Sequence, residues 1–310
     1  MKKWYLKAII QKIISFLPLR NRINFFFQKY VTRGVDLNEQ HFFNKFDHLC
    51  DHLEHYQEIT GRQDLSGISC LELGTGWYPI IPLGYYLKGA DKVYSVDISA
   101  HLTSATFLRC LEEMNRHEAQ VRAKLGPIHE DRWELLQRIR QDYASYTSPN
   151  QAYDLIQFQP IVADARELKL EDKNIQLITS NNTYEHIYPE VLGGIIQRMW
   201  DLLAPGGLMS HFIDMSDHFA HMDKGIDIYH FLRFSEEQWS LIDNRIQPQN
   251  RWRMQHYREL YDQLHIPFQE SKLRQGNLEQ VLATPLASPF AEMPTAEVAI
   301  SHGYLLSQKG

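Results

Sequence analysis

Residues 68–79 read ISCLELGTGWYP, and this stretch decides the fold. Ile68, Cys70, Leu71 and Leu73 form a short apolar run, the pattern of a strand buried on both faces. Glu72 precedes Gly74-Thr75-Gly76, so the strand empties into a loop that turns tightly and lets a ligand touch backbone. The segment after Pro79, IIPLGYYLKGA, reads as helix, which places the loop at a helix N-terminus. Backbone N–H groups and the helix dipole favour an anionic group there.

Outward from that stretch, strand and helix alternate. KVYSVDI ends in Asp97 and is followed by a helix over 103–117. A polar, helical insertion over 118–150 is longer than a plain connection, and such insertions commonly build substrate walls. YDLIQFQPIVA then leads into Asp164, and IQLITSN ends at Asn181. PEVLGGIIQRMWDLL runs as a helix to the turn Ala204-Pro205-Gly206-Gly207, and LMSHFIDM is the fifth strand. Two late β-like runs, IPFQESKLR and VAISHGYLLSQ, close the chain. The alternation predicts an α/β fold, a mainly parallel sheet with helices on both faces and a final antiparallel strand pair. Residues 1–62 read as an N-terminal helical extension, 63–310 as the main domain, and 214–258 as loop and helices on the acceptor side.

Composition sets the outer limits. The chain has 310 residues, 44% hydrophobic and 23% charged, which is ordinary for a globular protein. A net charge of −6 argues against a general nucleic-acid binder. Three cysteines without a C-x-x-C pair argue against a disulfide framework or zinc ribbon, and the expected location is cytoplasmic. The first twenty residues suggest an amphipathic helix with Trp4, Ala8, Ile9, Ile13 and Phe16 on one face. Packing on the protein body is the expected role, and peripheral membrane contact the alternative. His48, His52 and His55 have helical spacing, but without a carboxylate or cysteine to complete a metal site they read as a solvated face.

Two cofactor classes compete for the loop. A dinucleotide fingerprint needs a third glycine where this chain has Pro79, and a Walker loop needs a Gly-Lys-Ser/Thr ending that is absent. Acidic or amide side chains close successive strands instead: Asp97, 21 residues after Gly76, then Asp164 and Asn181. In an open parallel sheet, ligands bind at these carboxyl ends.

In ELGTG (72–76), VDIS (96–99), ADA (163–165), SNNTYEHI (180–187) and LLAPGGLM (202–209), the chain resembles the class I S-adenosylmethionine-dependent methyltransferases. The resemblance covers about residues 68–215 and implies a Rossmann-like seven-stranded sheet. It implies a cofactor set of Glu72, Gly74, Thr75, Gly76, Asp97, Ile98, Asp164, Ala165 and Asn181. Gly74 and Gly76 would border the methionine moiety, Asp97 the ribose, Asp164 the adenine amine and Asn181 backbone the amino group. S-adenosyl-L-homocysteine would be the product. The chain departs from the family pattern in lacking the third glycine, with Trp77 and Tyr78 in that region, and in carrying the long insertion.

Glu185 and His186 follow the fourth strand where a catalytic pair is expected, with His186 as general base. No Pro-Pro-Tyr pattern stands there, against base N-methylation. His211, Asp214, Asp217, His218, His221, Asp223 and Asp227 crowd the following loop and read as a solvated acceptor loop, with no metal expected. Arg233, Arg251, Arg253 and Arg258 are candidates for holding an acceptor carboxylate. The expected reaction is O-methylation, at hydroxyl or carboxylate, of a small molecule or peptide such as a sugar, modified peptide or other natural product. The alternatives are an inactive binding subunit of the same fold and a dinucleotide-dependent oxidoreductase.

Overall fold

The computed structural model describes residues 3–17, 36–245 and 247–310. The first elements are helices α1 (Lys3–Ser15) and α2 (Glu39–Thr60), strand β1 (Ser69–Leu73), α3 (Ile80–Leu87) and β2 (Lys92–Asp97). Helices α4 (Ser104–Arg116), α5 (Glu118–Leu125), α6 (Glu130–Asp142) and α7 (Pro149–Leu155) lead to β3 (Phe158–Val162) and β4 (Ile175–Asn181). Next come α8 (Pro189–Leu202), β5 (Leu208–Asp214), α9 (Glu236–Ile242) and α10 (Met254–Gln263). The chain closes with β6 (Gln269–Gln275), α11 (Leu278–Ala283), α12 (Thr295–Ala299) and β7 (Ile300–Gln308).

The strands form one seven-stranded sheet in the order β3-β2-β1-β4-β5-β7-β6, parallel except where β7 runs antiparallel between β5 and β6. This is the Rossmann-like architecture expected from sequence, reversed final strands included. Every residue of β1 is buried, as the apolar run predicts for a central strand. The register aligns the carboxyl ends: Leu73 pairs with Val96 and Ser180, and Asp97 with Val162. The carboxyl ends of four strands therefore share one edge, where open parallel sheets bind ligands.

By contacts the chain divides into two units. One comprises Asp36–Asn181, Gly194–His211 and Leu306–Gly310; the other holds α1 together with Asn182–Gly193 and Phe212–Leu305. In the first, α2 starts at Asn38, whose side chain accepts the His41 N–H, and stops at Gly61 in a left-handed conformation. Its inward residues include Phe42, Phe46, Leu49 and Tyr56, but also His52 and His55. The solvated histidine face is thus corrected: two of the three histidines are core residues with hydrogen-bond partners.

The insertion also departs from expectation. Helices α5 and α6 bury Val121, Leu125, Trp133, Leu136 and Ile139. Arg132 donates to the carbonyls of Tyr86 and Ala90, and His129 N–H to that of Leu87. These anchors lie at the C-terminal end of α3, about 12 Å along its axis from the glycine loop at its start. That part of the insertion braces the edge of the sheet opposite the strand carboxyl ends, and builds no substrate wall there.

In the second unit, α1 turns Trp4, Ala8, Gln11 and Ile14 inward, while Ile13 and Phe16 are 57% and 79% exposed. The packed face therefore differs from the expected one. Specific hydrogen bonds set it: Trp4 N–H to Asp223, and Lys12 Nζ to the carbonyls of Ser240 and Asp243. The remainder of the expected N-terminal extension and membrane-contact segment, residues 1–2 and 18–35, lies outside the described residues. Among the described residues, no helix is long and apolar enough to cross a membrane.

Candidate functional site

The glycine loop is held open by a relay of polar contacts. Gly74 and Gly76 have φ of 78° and 69°, a conformation costly for any residue with a Cβ. Gly76 N–H donates to Asp97 Oδ2 at 3.1 Å, and Gly74 N–H to the Val96 carbonyl at 2.8 Å, so the loop is tied to the end of β2. Beneath it, Ser95 Oγ donates to Thr75 Oγ1 at 2.6 Å, and Thr75 to Glu72 Oε2 at 2.7 Å. Glu72 is fully buried; burial raises its pKa, against the pull of Lys45 and Thr75.

Lys45, on α2, is a residue that sequence reasoning missed. Its Nζ donates to the carbonyls of Thr75 (2.6 Å) and Tyr78 (3.2 Å) and lies 3.9 Å from Glu72 Oε1. One ammonium thus clamps both ends of the loop and offsets the buried carboxylate under it. Trp77 packs on His101, with ring centroids 4.6 Å apart, and Tyr78 meets His41 edge-on.

The other expected cofactor residues gather on the same edge. Asp97 Oδ1 accepts the Ser99 N–H at 3.0 Å, and the neighbouring Ile98 is 71% exposed, an apolar surface beside a carboxylate. Asp164 caps the turn containing Ala165 and is gripped by Arg166 through the backbone N–H and two guanidinium nitrogens, which holds its pKa below the usual carboxylate range. Its lone pairs toward a ligand amine are therefore partly taken. Asn181 is buried at the end of β4, where His52 Nε2 meets its Oδ1 at 3.2 Å. Ser210 Oγ meets His52 Nδ1 at 2.7 Å and so completes the orientation of the imidazole. Burial, then the neighbouring histidines, push His52 well below its ordinary pKa, so it acts as a neutral strut.

Glu185 and His186 lie together in a 3-10 turn, Tyr184–His186, in the other unit. Asn250 locks that turn: its Nδ2 donates to the carbonyls of Tyr184 (2.8 Å) and Ile187 (2.9 Å), and its N–H to that of Glu185 (2.9 Å). His186 Nδ1 donates to the Pro248 carbonyl at 2.6 Å, which leaves Nε2 with the lone pair. Burial, then the His218 charge, lower its pKa to about 4. Glu185 is 2% exposed, and no side chain hydrogen-bonds its carboxylate; the backbone N–H groups of Glu185 and Asp214 stand toward it without full hydrogen-bond geometry. Burial, then the Asp214 charge, raise its pKa well above the carboxylate range. From the following loop, the His218 ring stands 4.8 Å from that of His186. Ligand atoms of Glu185, His186 and His218 all lie within 4.8 Å of one another. The histidine-rich loop is therefore not merely solvated surface: Asp214 is buried, with its oxygens 3.5 Å from His218 Nε2 and 3.1 Å from His302 Nε2.

The arginines are corrected as well. Arg253 is fully buried and donates to the carbonyls of Met215, Val298 and Ile300. Arg251 donates to those of Phe231 and Phe234 and pairs with Glu236. Arg258 bridges Glu270 and Glu297. These three guanidiniums staple loops together, each spending three of its five donors on carbonyls or carboxylates of this chain.

No protein-family model matches the chain, and no curated protein matches it. Among solved structures, similarity is found to a putative sarcosine dimethylglycine methyltransferase from Galdieria sulphuraria, with 15% identity, 84% of this chain and 85% of that one covered, and a TM-score of 0.45. Burkholderia thailandensis 1,6-didemethyltoxoflavin-N1-methyltransferase, solved with S-adenosylhomocysteine, gives 12%, 84%, 77% and 0.41. A Haemonchus contortus phosphoethanolamine N-methyltransferase bound to S-adenosyl-L-methionine gives 12%, 92%, 59% and 0.43. The chain thus spans less than two thirds of the Haemonchus enzyme. At such scores the assignment of the fold rests on strand order and register, not on these likenesses.

Proposed function

We propose that the protein is an S-adenosylmethionine-dependent methyltransferase acting on an oxygen of a small or medium metabolite, such as a sugar, a modified peptide or another natural product. The observation that carries this reading is the bond from Gly76 N–H to Asp97 Oδ2. It joins the open glycine loop and the carboxylate closing β2 into one cradle, on the edge where β4 ends at Asn181 and Asp164 follows the end of β3.

The residues accommodate the cofactor in several respects. Gly76 has open space where a Cβ would stand, so a ligand can approach the loop backbone. Asp97 has the acceptor capacity for vicinal hydroxyls, and exposed Ile98 offers an apolar face for a purine. Asp164 is the weakest member, because Arg166 already engages both of its oxygens. When bound, the cofactor supplies an electrophilic sulfonium methyl group. The chain's own task is to orient the acceptor and manage its proton.

His186 is suited to receive a proton at Nε2, since Pro248 fixes its tautomer. With a pKa near 4 it is neutral at pH 7 and a weak base. That strength suits an acceptor oxygen already acidic or anionic, which favours a carboxylate or an activated hydroxyl over a plain alcohol. Calorimetric titration of S-adenosylmethionine into wild type and Asp97→Ala tests the reading. The variant is expected to bind at least tenfold more weakly, and equal affinity would remove Asp97 from the cradle and sink the assignment.

A further inference from the structure

From Glu185, His186 and His218, we infer a binding site for one first-row divalent cation of the zinc class, built on the turn after β4 and the loop after β5. The site's existence is independent of the methyl-transfer reading, but an ion at His186 Nε2 would take the lone pair that otherwise receives the acceptor's proton, so His186 serves as ligand or as base and not both at once. The use of the site to hold an acceptor oxygen rests on that reading.

The donor set is two imidazoles and one carboxylate, a combination that binds zinc and neighbouring transition metals with further positions left for water or an oxygen donor. Three independent features show preparation for an ion. Glu185 is 2% exposed, and no side chain partners its carboxylate: only the backbone N–H groups of Glu185 and Asp214 stand toward it, short of full hydrogen-bond geometry. A buried acid usually finds side-chain partners, and leaving it without one is costly unless something else occupies the position. His186 donates Nδ1–H to a backbone carbonyl, the outer contact that orients a metal-binding imidazole. His218 has Asp214 3.5 Å from its Nε2, a carboxylate behind the second imidazole.

The supports are rigid. Asn250 holds the turn bearing Glu185 and His186 by three hydrogen bonds, and Gln249 Nε2 donates to the Ser216 carbonyl just before His218. Ligand atoms bonded to one ion at about 2.1 Å lie about 3.0–3.4 Å apart. The observed spacing of at most 4.8 Å asks for a closure of at most about 1.4–1.8 Å, within the reach of side-chain rotation. His218 also lines a small cavity with Lys7, Gln11, Phe219, Trp239 and Gln249.

This differs from the sequence expectation of no metal, and the reason is distance along the chain. His218 lies 32 residues beyond His186, so no local spacing motif links them.

The test uses the full chain stripped with a chelator and titrated with Zn2+, and separately with Co2+ followed by visible absorption. Wild type is expected to bind one ion, with a rise in Tm and a Co2+ spectrum of nitrogen and oxygen ligation. Glu185→Gln and His218→Ala should each weaken binding about 100-fold. Glu185→Gln removes a buried unpaired acid, so without metal it is expected to be at least as stable as wild type, which separates ligand loss from misfolding. Failure of wild type to bind overturns the inference. So does equal binding by both variants, which would place the ion on others of the fifteen histidines. S-adenosylmethionine affinity measured on the same stripped protein separates the two claims: cofactor binding without metal binding removes this site alone, and metal binding without cofactor binding removes the methyltransferase reading alone.

Discussion

Replacing Lys45 by Met isolates the clamp under the glycine loop, because Met keeps the apolar stem and removes the ammonium. Three contacts are lost: the carbonyls of Thr75 and Tyr78, and the charge 3.9 Å from Glu72. Two unit charges at that distance interact by about 4 kcal/mol at an effective dielectric constant of 20. The Lys45 side chain is 18% exposed, so solvent screens part of this and about 2 kcal/mol is a fair net value. The two carbonyl bonds add about 1 kcal/mol each. The variant should therefore lose about 3–4 kcal/mol at pH 7. The sign of its pH dependence follows from Glu72, whose folded pKa is raised above its unfolded value of 4.5. A raised carboxyl binds more protons when folded, so its stabilisation is complete below 4.5 and is lost as pH rises through the folded pKa. Without Lys45 that pKa rises further, at about 1.4 kcal/mol per unit. The deficit should then be smaller at pH 5 than at pH 7, and Glu72→Gln in the Lys45→Met background should recover about 2 kcal/mol at pH 7. Urea denaturation at both pH values measures this. A deficit equal at pH 5 and pH 7, with no relief from Glu72→Gln, would refute the reasoning.

His186→Ala should lower methyl transfer at least tenfold while leaving S-adenosylmethionine affinity within twofold; undiminished turnover would show that the acceptor needs no base from this residue. His211 is buried, with Ser180 Oγ 2.8 Å from its Nδ1, and burial lowers its pKa from 6.5 to about 3. The unfolded chain therefore binds one more proton between those values, and stability should fall by about 1.4 kcal/mol per unit as pH drops through that window. His211→Gln should flatten the pH–stability curve by that slope, and an unchanged slope would mean the imidazole is charged or solvated in the fold. Arg253→Met should cost about 3 kcal/mol or more, since three buried carbonyls lose their donor; a Tm within a degree of wild type would show that water replaces it.

What the sequence made legible was local. The apolar run into Gly74 and Gly76, and the polar residues closing β2, β3 and β4, are patterns within a few positions, and each strand end stands where alternation places it. The groups that hold the site together were hidden because they arrive from far along the chain. Lys45 reaches the loop across 30 residues, His52 reaches Asn181 across 129, and Pro248 orients His186 across 62. No spacing rule announces such contacts. Burial misled in the same way: Arg251 and Arg253 resemble an anion site in a list of residues, but a buried guanidinium satisfies the nearest carbonyls first. The histidines of α2 were misjudged because a polar helix face gives no sign that Ser210 and Asn181 wait opposite it.

The cradle on the strand edge is most directly tested by calorimetry of the full chain with S-adenosylmethionine, S-adenosylhomocysteine and a nicotinamide dinucleotide in turn. Saturable binding of the first two at one site per chain, with none of the third, is the predicted result. Binding of the dinucleotide without either sulfur compound would contradict it, and would return the Gly74–Gly76 loop to the rival cofactor that Pro79 argued against.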